Sequence, residues 1–562
     1  MMTASTPPST GRSRLGLSTA WNYFFRKASF RRNATRIWGA TTGSIFARGL
    51  VVNAGDSSTA PEAAPATDGP RVCILGGGFG GLYTAVKLEN LFWPRGTKPR
   101  VTLVDQAERF TFKPLLYELL TGAATADEVS PSYSQLLAPY PVQFVQGRVA
   151  AVQPQAQTAD GGSEAGGTVV LDSGESLPYD WLVLALGAET NTFGIPGVKE
   201  YALAFSTFQD AEKLKSKLDA LAASPASSPE VVVVGGGYAG VELAAAVAEN
   251  LKGTGRIQLV TSTPDILDVA PEGQRDAARR ALEDEGVSIL TSAAVTDVRL
   301  AAATPRSQDD STAKRLVYVK DEDGQTEILE ADVVVWAAGQ APVPRMDAPR
   351  LKFPFPCDGR GATQTDSTLK VLRNRRVFAL GDVAVATHAE PSSPSSSPLS
   401  PSPTYENSTP TPSTQQLPAT AQVAFQQADY VAWNIWASIN NRPLLRFSYQ
   451  HLGEMMSLGP SKGAVSLPIP VPPPLSAAAQ SGPLGELLRV AGVKVSTTYA
   501  GASDGVTVEG PLAALIRRAA YLYRQPTDRQ RAKVAASWLG QATTQAAELA
   551  RQILLAGGGS GK

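Results

Sequence analysis

Two glycine-rich turns of the same form, 159 positions apart (Gly76 to Gly235), constrain this chain more than any other feature. The first reads Arg71-Val-Cys-Ile-Leu-Gly76-Gly-Gly78-Phe-Gly-Gly81, and the second Val231-Val-Val-Val-Gly235-Gly-Gly237-Tyr-Ala-Gly240. In each, a short apolar run, as in a parallel strand buried on both faces, leads into G-x-G-x-x-G and then a helix-forming segment. Such a turn sets a pyrophosphate against backbone N–H groups at a helix N-terminus. One motif alone is weak evidence. Two in this context predict an enzyme that holds two dinucleotides and moves electrons between them.

The strand after each turn separates the two units. The first turn leads to Val101-Thr-Leu-Val-Asp105, a second strand ending in an acid 24 positions beyond Gly81 (81 to 105). A carboxylate near that distance accepts from ribose hydroxyls, and an ordinary solvated strand-end acid is the competing reading. The second turn leads to Ile257-Gln-Leu-Val260 and then Thr261, Ser262 and Thr263. A carboxylate there would repel the 2′-phosphate of NADPH, and hydroxyls do not. NADPH is therefore permitted and NADH not excluded, with no arginine beside the site to settle the preference. The strands Trp181-Leu-Val-Leu-Ala-Leu-Gly187 and Asp332-Val-Val-Val-Trp-Ala-Ala-Gly339 extend the duplication beyond the glycines. Arg376-Val-Phe-Ala-Leu-Gly381-Asp382 comes next; in a flavoprotein a strand ending in Gly-Asp aims its carboxylate at the flavin ribityl chain and would pair back into the first unit, with an ordinary turn as the competing reading.

Charge and cysteine content exclude several classes. The 51 basic and 51 acidic residues create no global field for nucleic acid. The only two cysteines, Cys73 and Cys357, lie far apart in sequence, so a disulfide reductase or a sulfide oxidase with a cysteine pair at the flavin is disfavoured. No metal site is expected. No apolar run reaches the roughly 18–20 residues that span a bilayer. Before Asp56 there is no acid but eight cations, Arg12, Arg14, Arg26, Lys27, Arg31, Arg32, Arg36 and Arg48. With abundant Ser, Thr and Ala and no apolar core, that is organelle transit-peptide composition, against the alternative of a basic tail.

The expected division is 1–66 transit peptide and linker, 67–195 first part of an FAD-binding domain, 196–350 NAD(P)H-binding domain, 351–440 second part of the FAD domain, and 441–562 a quinone-access and membrane-interface region. A disordered, flexible Ser/Pro/Thr insert at about 386–416 and a Pro/Ala-rich irregular insert at about 466–503 interrupt it. In Thr420-Ala-Gln422-Val-Ala-Phe-Gln426 a helix places two amides, four apart, on one face. Such a pair can bond a quinone oxygen without bringing charge into a dry site, and capping or core satisfaction is the alternative. Leu512, Leu515, Ile516, Ala519, Leu522 and Tyr523 form a stripe at helical spacing, with Arg517 and Arg524 opposite. This pattern suits a membrane interface, or a helix packed on the core or in a dimer.

Several stretches resemble the type II NAD(P)H:quinone oxidoreductases, single-chain dehydrogenases that pump no protons. They are Gly76–Gly81, Phe112-Lys-Pro114-Leu-Leu-Tyr117-Glu118-Leu, Gly235–Glu242, Gly381-Asp382 and Ala421-Gln422-Val-Ala-Phe-Gln426. The likeness is greatest to the plastid branch of plants, algae and cyanobacteria, which reduces demethylphylloquinone and plastoquinone. It is carried by Asn440-Asn-Arg-Pro-Leu-Leu, Leu452-Gly-Glu-Met455-Met and Tyr521-Leu-Tyr-Arg-Gln-Pro526-Thr-Asp. The resemblance implies an α/β fold of the pyridine nucleotide-disulfide oxidoreductase type, with two Rossmann-like domains, the FAD domain discontinuous, and a C-terminal amphipathic membrane-interface region. It implies FAD on Gly76, Gly78, Gly81, Asp105 and Asp382, and NADPH or NADH on Gly235, Gly237 and Gly240. Glu242 falls near the nicotinamide–flavin contact, and Gln422 and Gln426 at the quinone. Thr261 departs from NADH-preferring relatives. The implied setting is a chloroplast surface, plastoglobule or thylakoid, with the mitochondrion as a further site, a prenylquinone substrate and room for a homodimer. A mitochondrial ubiquinone reductase and a flavin-containing signalling protein of the apoptosis-inducing type are the competing functions.

Overall fold

The computed structural model describes residues 69–155, 166–223, 228–301, 313–343, 353–388, 413–415, 417–459, 462–469, 482–496 and 505–557. Residues 67–449 and 454–562 belong to one compact unit that holds every element named below. Strand β1 (Arg71–Leu75) has Val72 to Leu75 all buried, as a parallel strand covered on both faces requires. Helix α1 (Phe79–Asn90) comes next, then β2 (Arg100–Asp105), the short α2 (Leu116–Leu120), β3 (Val142–Gln146) and β4 (Trp181–Leu184). After β5 (Leu203–Ala204) the pattern repeats with β6 (Glu230–Val234), α3 (Tyr238–Leu251), β7 (Arg256–Val260), α4 (Glu272–Asp284), β8 (Ser288–Leu290) and β9 (Val333–Trp336). Next come β10 (Val377–Ala379) and the long helix α5 (Ala421–Ile439), which packs along α1. The C-terminal part is β11 (Glu454–Ser457), β12 (Gly463–Leu467), α6 (Gly482–Val490), β13 (Val493–Ser496), β14 (Gly505–Glu509), α7 (Gly510–Tyr523) and α8 (Asp528–Gly557).

Two parallel five-stranded sheets result, ordered β10-β4-β1-β2-β3 and β8-β7-β6-β9-β5. Their registers correspond: Val72 lies between Val101 and Trp181, and Val231 between Ile257 and Val333. In both, the glycine turn leaves the carboxyl end of the central strand, where doubly wound sheets bind ligands. Strand β10 pairs with β4, so the segment before Gly381-Asp382 completes the first sheet. One apolar core runs through both halves, from Ile74 and Leu82 to Val233 and Val247, and includes Val431 and Ile435 of α5. The C-terminal strands form a separate antiparallel sheet, β11-β12-β14-β13.

Two expectations need correction. The stretch 466–503 is not wholly irregular, because α6 and β13 lie within it and β13 pairs with β14. The insert at 386–416 begins and ends in strand: Ala384–His388 pairs antiparallel with Ser413–Gln415. The rest of that insert and the transit-peptide segment lie outside the described residues.

Candidate functional site

The first turn is fixed by close approach. Gly76 has φ +97° and donates its N–H to the Val104 carbonyl at 2.8 Å, and a Cβ there would collide with the Ala185 carbonyl. A Cβ on Gly81 would strike the Gly76 carbonyl, so this glycine lets α1 settle on the turn. A Cβ on Gly78, by contrast, meets nothing within 4 Å, which leaves open space at the mouth of the helix. Asp105 fastens the turn beside that space. Its Oδ2 accepts from the Gly77 N–H at 2.6 Å and its Oδ1 from the Ala107 N–H at 2.8 Å, and the Tyr133 hydroxyl bonds it too. Burial pushes its carboxyl up, and these donors pull it back toward the anion.

Asp382 follows Gly381, whose N–H donates to Oε1 of Gln427 at 2.7 Å. Burial raises the Asp382 carboxyl, and the Lys113 charge lowers it. A cleft lined by Ala188, Gln340, Arg360, Ala362, Asp382 and Gln427 opens here, at the carboxyl edge of the first sheet. The open helix N-terminus, the strand-end acid and the second acid over the cleft match the pyrophosphate, ribose and ribityl groups of FAD.

The second turn repeats the mould. Gly235 has φ +121°, a Cβ on Gly240 would strike the Gly235 carbonyl, and Gly237 again faces open space. At the strand end the chemistry changes. Thr261 is buried, and its Oγ1 lies 2.8 Å from Oγ1 of Thr263.

Glu242 is buried on α3 and accepts from the Ser457 N–H of β11 at 2.8 Å. Burial pushes its carboxyl up to about 7, while the Ser457 bond, the Arg517 charge and the Tyr117 hydroxyl favour the anion and Glu118 opposes it. Beside it lies a buried ion pair: Nη2 of Arg517 is 2.7 Å from Oε1 of Glu118, with side chains 0% and 2% exposed, and Arg518 reaches Oε2 at 3.3 Å. The Arg517 contact has ion-pair distance without hydrogen-bond direction. The Arg517 guanidinium also lies 5.3 Å from the Tyr521 ring centroid.

Gln422 and Gln426 stand one turn apart on α5, both half-buried, and Oε1 of Gln422 accepts from the Tyr449 hydroxyl at 2.8 Å. Phe425, between them in sequence, carries the Arg524 guanidinium 3.9 Å from its ring centroid. Burial lowers the Arg524 pKa, and Tyr523, Tyr83 and the Asp429 carboxylate oppose that shift. A desolvated cation seated on an aromatic face is costly and marks a functional candidate.

Helix α7 corrects a further expectation. Its cations do not form an outward polar face: Arg517 is fully enclosed, while Leu512, Leu515 and Tyr523 are 46%, 65% and 39% exposed. Leu487 and Val490 of α6 and Leu539 of α8 are exposed as well. No helix among the described residues is long and apolar enough to cross a membrane.

Sequence reasoning missed Tyr133, Gln427, Tyr117, Glu118, Arg517 and Arg524 as site residues. Gln427 adjoined an assigned glutamine but on another helix face. Tyr117, Glu118 and Arg524 lay within stretches already singled out and Arg517 beside an apolar stripe, but nothing in those stretches showed that the chain brings them together. Cys73 and Cys357 are both free thiols, and burial pushes Cys73 up to about 12, so it is an inert core residue.

Residues 70–428 match the family model described as pyridine nucleotide-disulphide oxidoreductase. The chain is 38% identical, over 93% of its length and 92% of the relative's, to the alternative NAD(P)H-ubiquinone oxidoreductase C1, chloroplastic/mitochondrial, of Arabidopsis thaliana. It is 36% identical to the demethylphylloquinone reductase NdbB of Synechocystis, over 84% of this chain and 96% of that one. Among solved structures it resembles NDH2 from Plasmodium falciparum in complex with NADH, with a TM-score of 0.54, 19% identity, and coverage of 71% and 90% of the two chains.

Proposed function

The chain belongs to the pyridine nucleotide-disulphide oxidoreductase family, and within it to the type II NAD(P)H:quinone oxidoreductases, and from that premise we propose that it passes two electrons from NADPH or NADH to a membrane prenylquinone such as demethylphylloquinone or plastoquinone. FAD, its prosthetic group, supplies when bound a carrier that a nicotinamide can reduce and a quinone can reoxidise. In this reading Gly76, Gly78 and Gly81 seat the FAD pyrophosphate, Asp105 its ribose and Asp382 its ribityl chain. Gly235, Gly237, Gly240 and Thr261 seat the nicotinamide nucleotide. Glu242, titrating near neutrality, holds or releases a proton beside the Tyr117 hydroxyl. Gln422 and Gln426 offer amides to a quinone carbonyl, and Arg524 adds positive charge where the reduced quinone gains negative charge.

The observation that carries the reading is the Gln427–Gly381 bond of 2.7 Å. It fastens the flavin-side turn to the helix that bears Gln422 and Gln426, so donor and acceptor chemistry share one rigid element.

A peripheral membrane or lipid-droplet surface as the docking partner is supported by the exposed apolar side chains of α6, α7 and α8. An organellar setting is supported by the Arabidopsis relative's name, and a plastid surface, thylakoid or plastoglobule, by the acid-free basic segment before Asp56. The relative named for ubiquinone keeps a ubiquinone acceptor as the second reading.

The test is a steady-state assay of the purified, yellow protein with plastoquinone, demethylnaphthoquinone and ubiquinone analogues. Gln426→Leu should lose roughly tenfold or more of quinone turnover, one hydrogen bond to a developing charge being about 1.5–3 kcal/mol, while NADPH still bleaches its flavin. Normal quinone reduction by that variant would remove the glutamines from the site. A protein that keeps FAD yet barely oxidises NAD(P)H would favour the signalling alternative.

A further inference from the structure

The sequence around Thr261 offers no arginine, but the fold brings two. From Thr261 a chain of hydrogen bonds runs outward: its Oγ1 meets Oγ1 of Thr263 at 2.8 Å, and that hydroxyl donates to the Asp265 carbonyl at 2.7 Å. The Asp265 carboxylate accepts from the Ile266 N–H at 2.8 Å and pairs with Arg279 and, at 3.8 Å, with Arg275 Nε. The Leu267 N–H donates to the Gly236 carbonyl at 2.8 Å, which ties this loop to the glycine turn itself. Both arginines lie on the first two turns of α4, 14 and 18 positions beyond Thr261 (261 to 275 and 279).

Two guanidinia share the Asp265 carboxylate, so these three side chains together carry one net positive charge. Their side chains stay 29% and 40% exposed, open to an incoming group. A single exposed ion pair contributes about 1 kcal/mol or less. A second arginine on the same acid therefore adds little as a brace, but it adds the charge that a phosphate dianion needs. We propose that Arg275 and Arg279, held by Asp265, form with Thr261 and Thr263 a subsite for the 2′-phosphate of NADPH. Guanidinium groups meet phosphate oxygens with paired, charge-assisted hydrogen bonds, and Thr261 and Thr263, unlike a carboxylate, do not repel those oxygens. NADH has only a hydroxyl at that position and gains nothing from the arginines. The arginines thus determine specificity and take no part in the chemistry.

This inference rests on the NAD(P)H-dependent reading and is tested apart from it. Calorimetry on the FAD-loaded enzyme compares adenosine 2′,5′-bisphosphate with AMP, for the native chain, Arg279→Lys, Arg279→Gln and the double variant Arg275→Gln/Arg279→Gln. Steady-state KM values for NADPH and NADH run alongside. The native chain should bind the bisphosphate about tenfold or more tighter than AMP, a charge-assisted contact being worth that much. The double variant should lose that advantage, Arg279→Lys should retain part of it, and the KM for NADH should move less than about twofold in every variant. Equal binding of bisphosphate and AMP by the native chain would overturn the proposal. So would equal weakening of both ligands in the double variant, or displacement of the bisphosphate by inorganic phosphate at comparable concentration. If the bisphosphate is preferred but neither NADPH nor NADH bleaches the flavin, the oxidoreductase reading fails and the subsite stands.

Discussion

The two nucleotide units use one backbone mould with different chemistry at two matched positions. In both, the first glycine takes a positive φ, the third admits the helix onto the turn, and the middle one leaves room for a ligand. At the end of the second strand, however, the first unit has Asp105, bonded to Gly77, Ala107 and Tyr133. The second has Thr261, bonded to Thr263. Two residues past the third glycine, the first unit has Tyr83, whose hydroxyl donates to the Arg524 carbonyl. The second has Glu242, a buried acid near its titration point. The mould therefore fixes only where a pyrophosphate goes. Which nucleotide binds, and what charge faces it, is set by a few side chains around it.

Making the first unit like the second should have the largest effect. Asp105→Thr removes the acceptor for the Gly77 and Ala107 N–H groups as well as the ribose acceptor. Each buried donor left unpaired costs about 1–3 kcal/mol, so the variant should be purified largely without flavin. Absorbance of the isolated protein reads this, and full flavin content would mean that Asp105 is an ordinary strand-end acid. The reverse exchange is milder. Thr261→Asp should raise the KM for NADPH by roughly tenfold or more, since each 1.4 kcal/mol of repulsion is a factor of ten, and leave NADH nearly unchanged. An equal rise for both nucleotides would dissolve the contrast between the strand ends.

The last effect, on stability and not on nucleotide or flavin binding, concerns Glu242. Burial raises its carboxyl from 4.5 to about 7, so the native state holds that proton more tightly than the unfolded chain does. As pH climbs from about 4.5, the unfolded chain deprotonates first, and this residue's contribution to stability falls until about pH 7, by at most roughly 3 kcal/mol. Glu242→Gln should abolish that component. Urea midpoints of native and variant protein would then diverge as pH rises from 5 to 8, the variant becoming relatively more stable. A difference independent of pH would place the Glu242 pKa outside this window.

Legibility differed with the range of the interaction. Both glycine turns, Asp105, Thr261 and Asp382 could be read because strand, turn and following strand lie within about thirty residues. Arg275 and Arg279 could not, since their relation to Thr261 depends on how α4 lies against the strand end. The Glu118–Arg517 pair joins segments 399 positions apart (118 to 517), and neither local pattern names the other as its partner. On α7 the apolar stripe was legible, but the surroundings of the opposite face were not. Ala513, Ala514 and Ala520 are small enough for close packing, and Glu118 gives Arg517 a partner inside, so the cationic side turns inward and Leu512 and Leu515 outward.

By itself the sequence determined two phosphate-binding turns, their order, and an acid at the end of one strand where the other has a hydroxyl. These arise from backbone sterics and strand burial, which act over a few residues. Only the tertiary structure decided which charges gather around Thr261, what holds Glu242 near neutrality, and which face of α7 meets the outside. Those depend on Coulomb interactions and desolvation between groups that the chain separates by tens to hundreds of residues, and neither leaves a periodic trace in the amino-acid order.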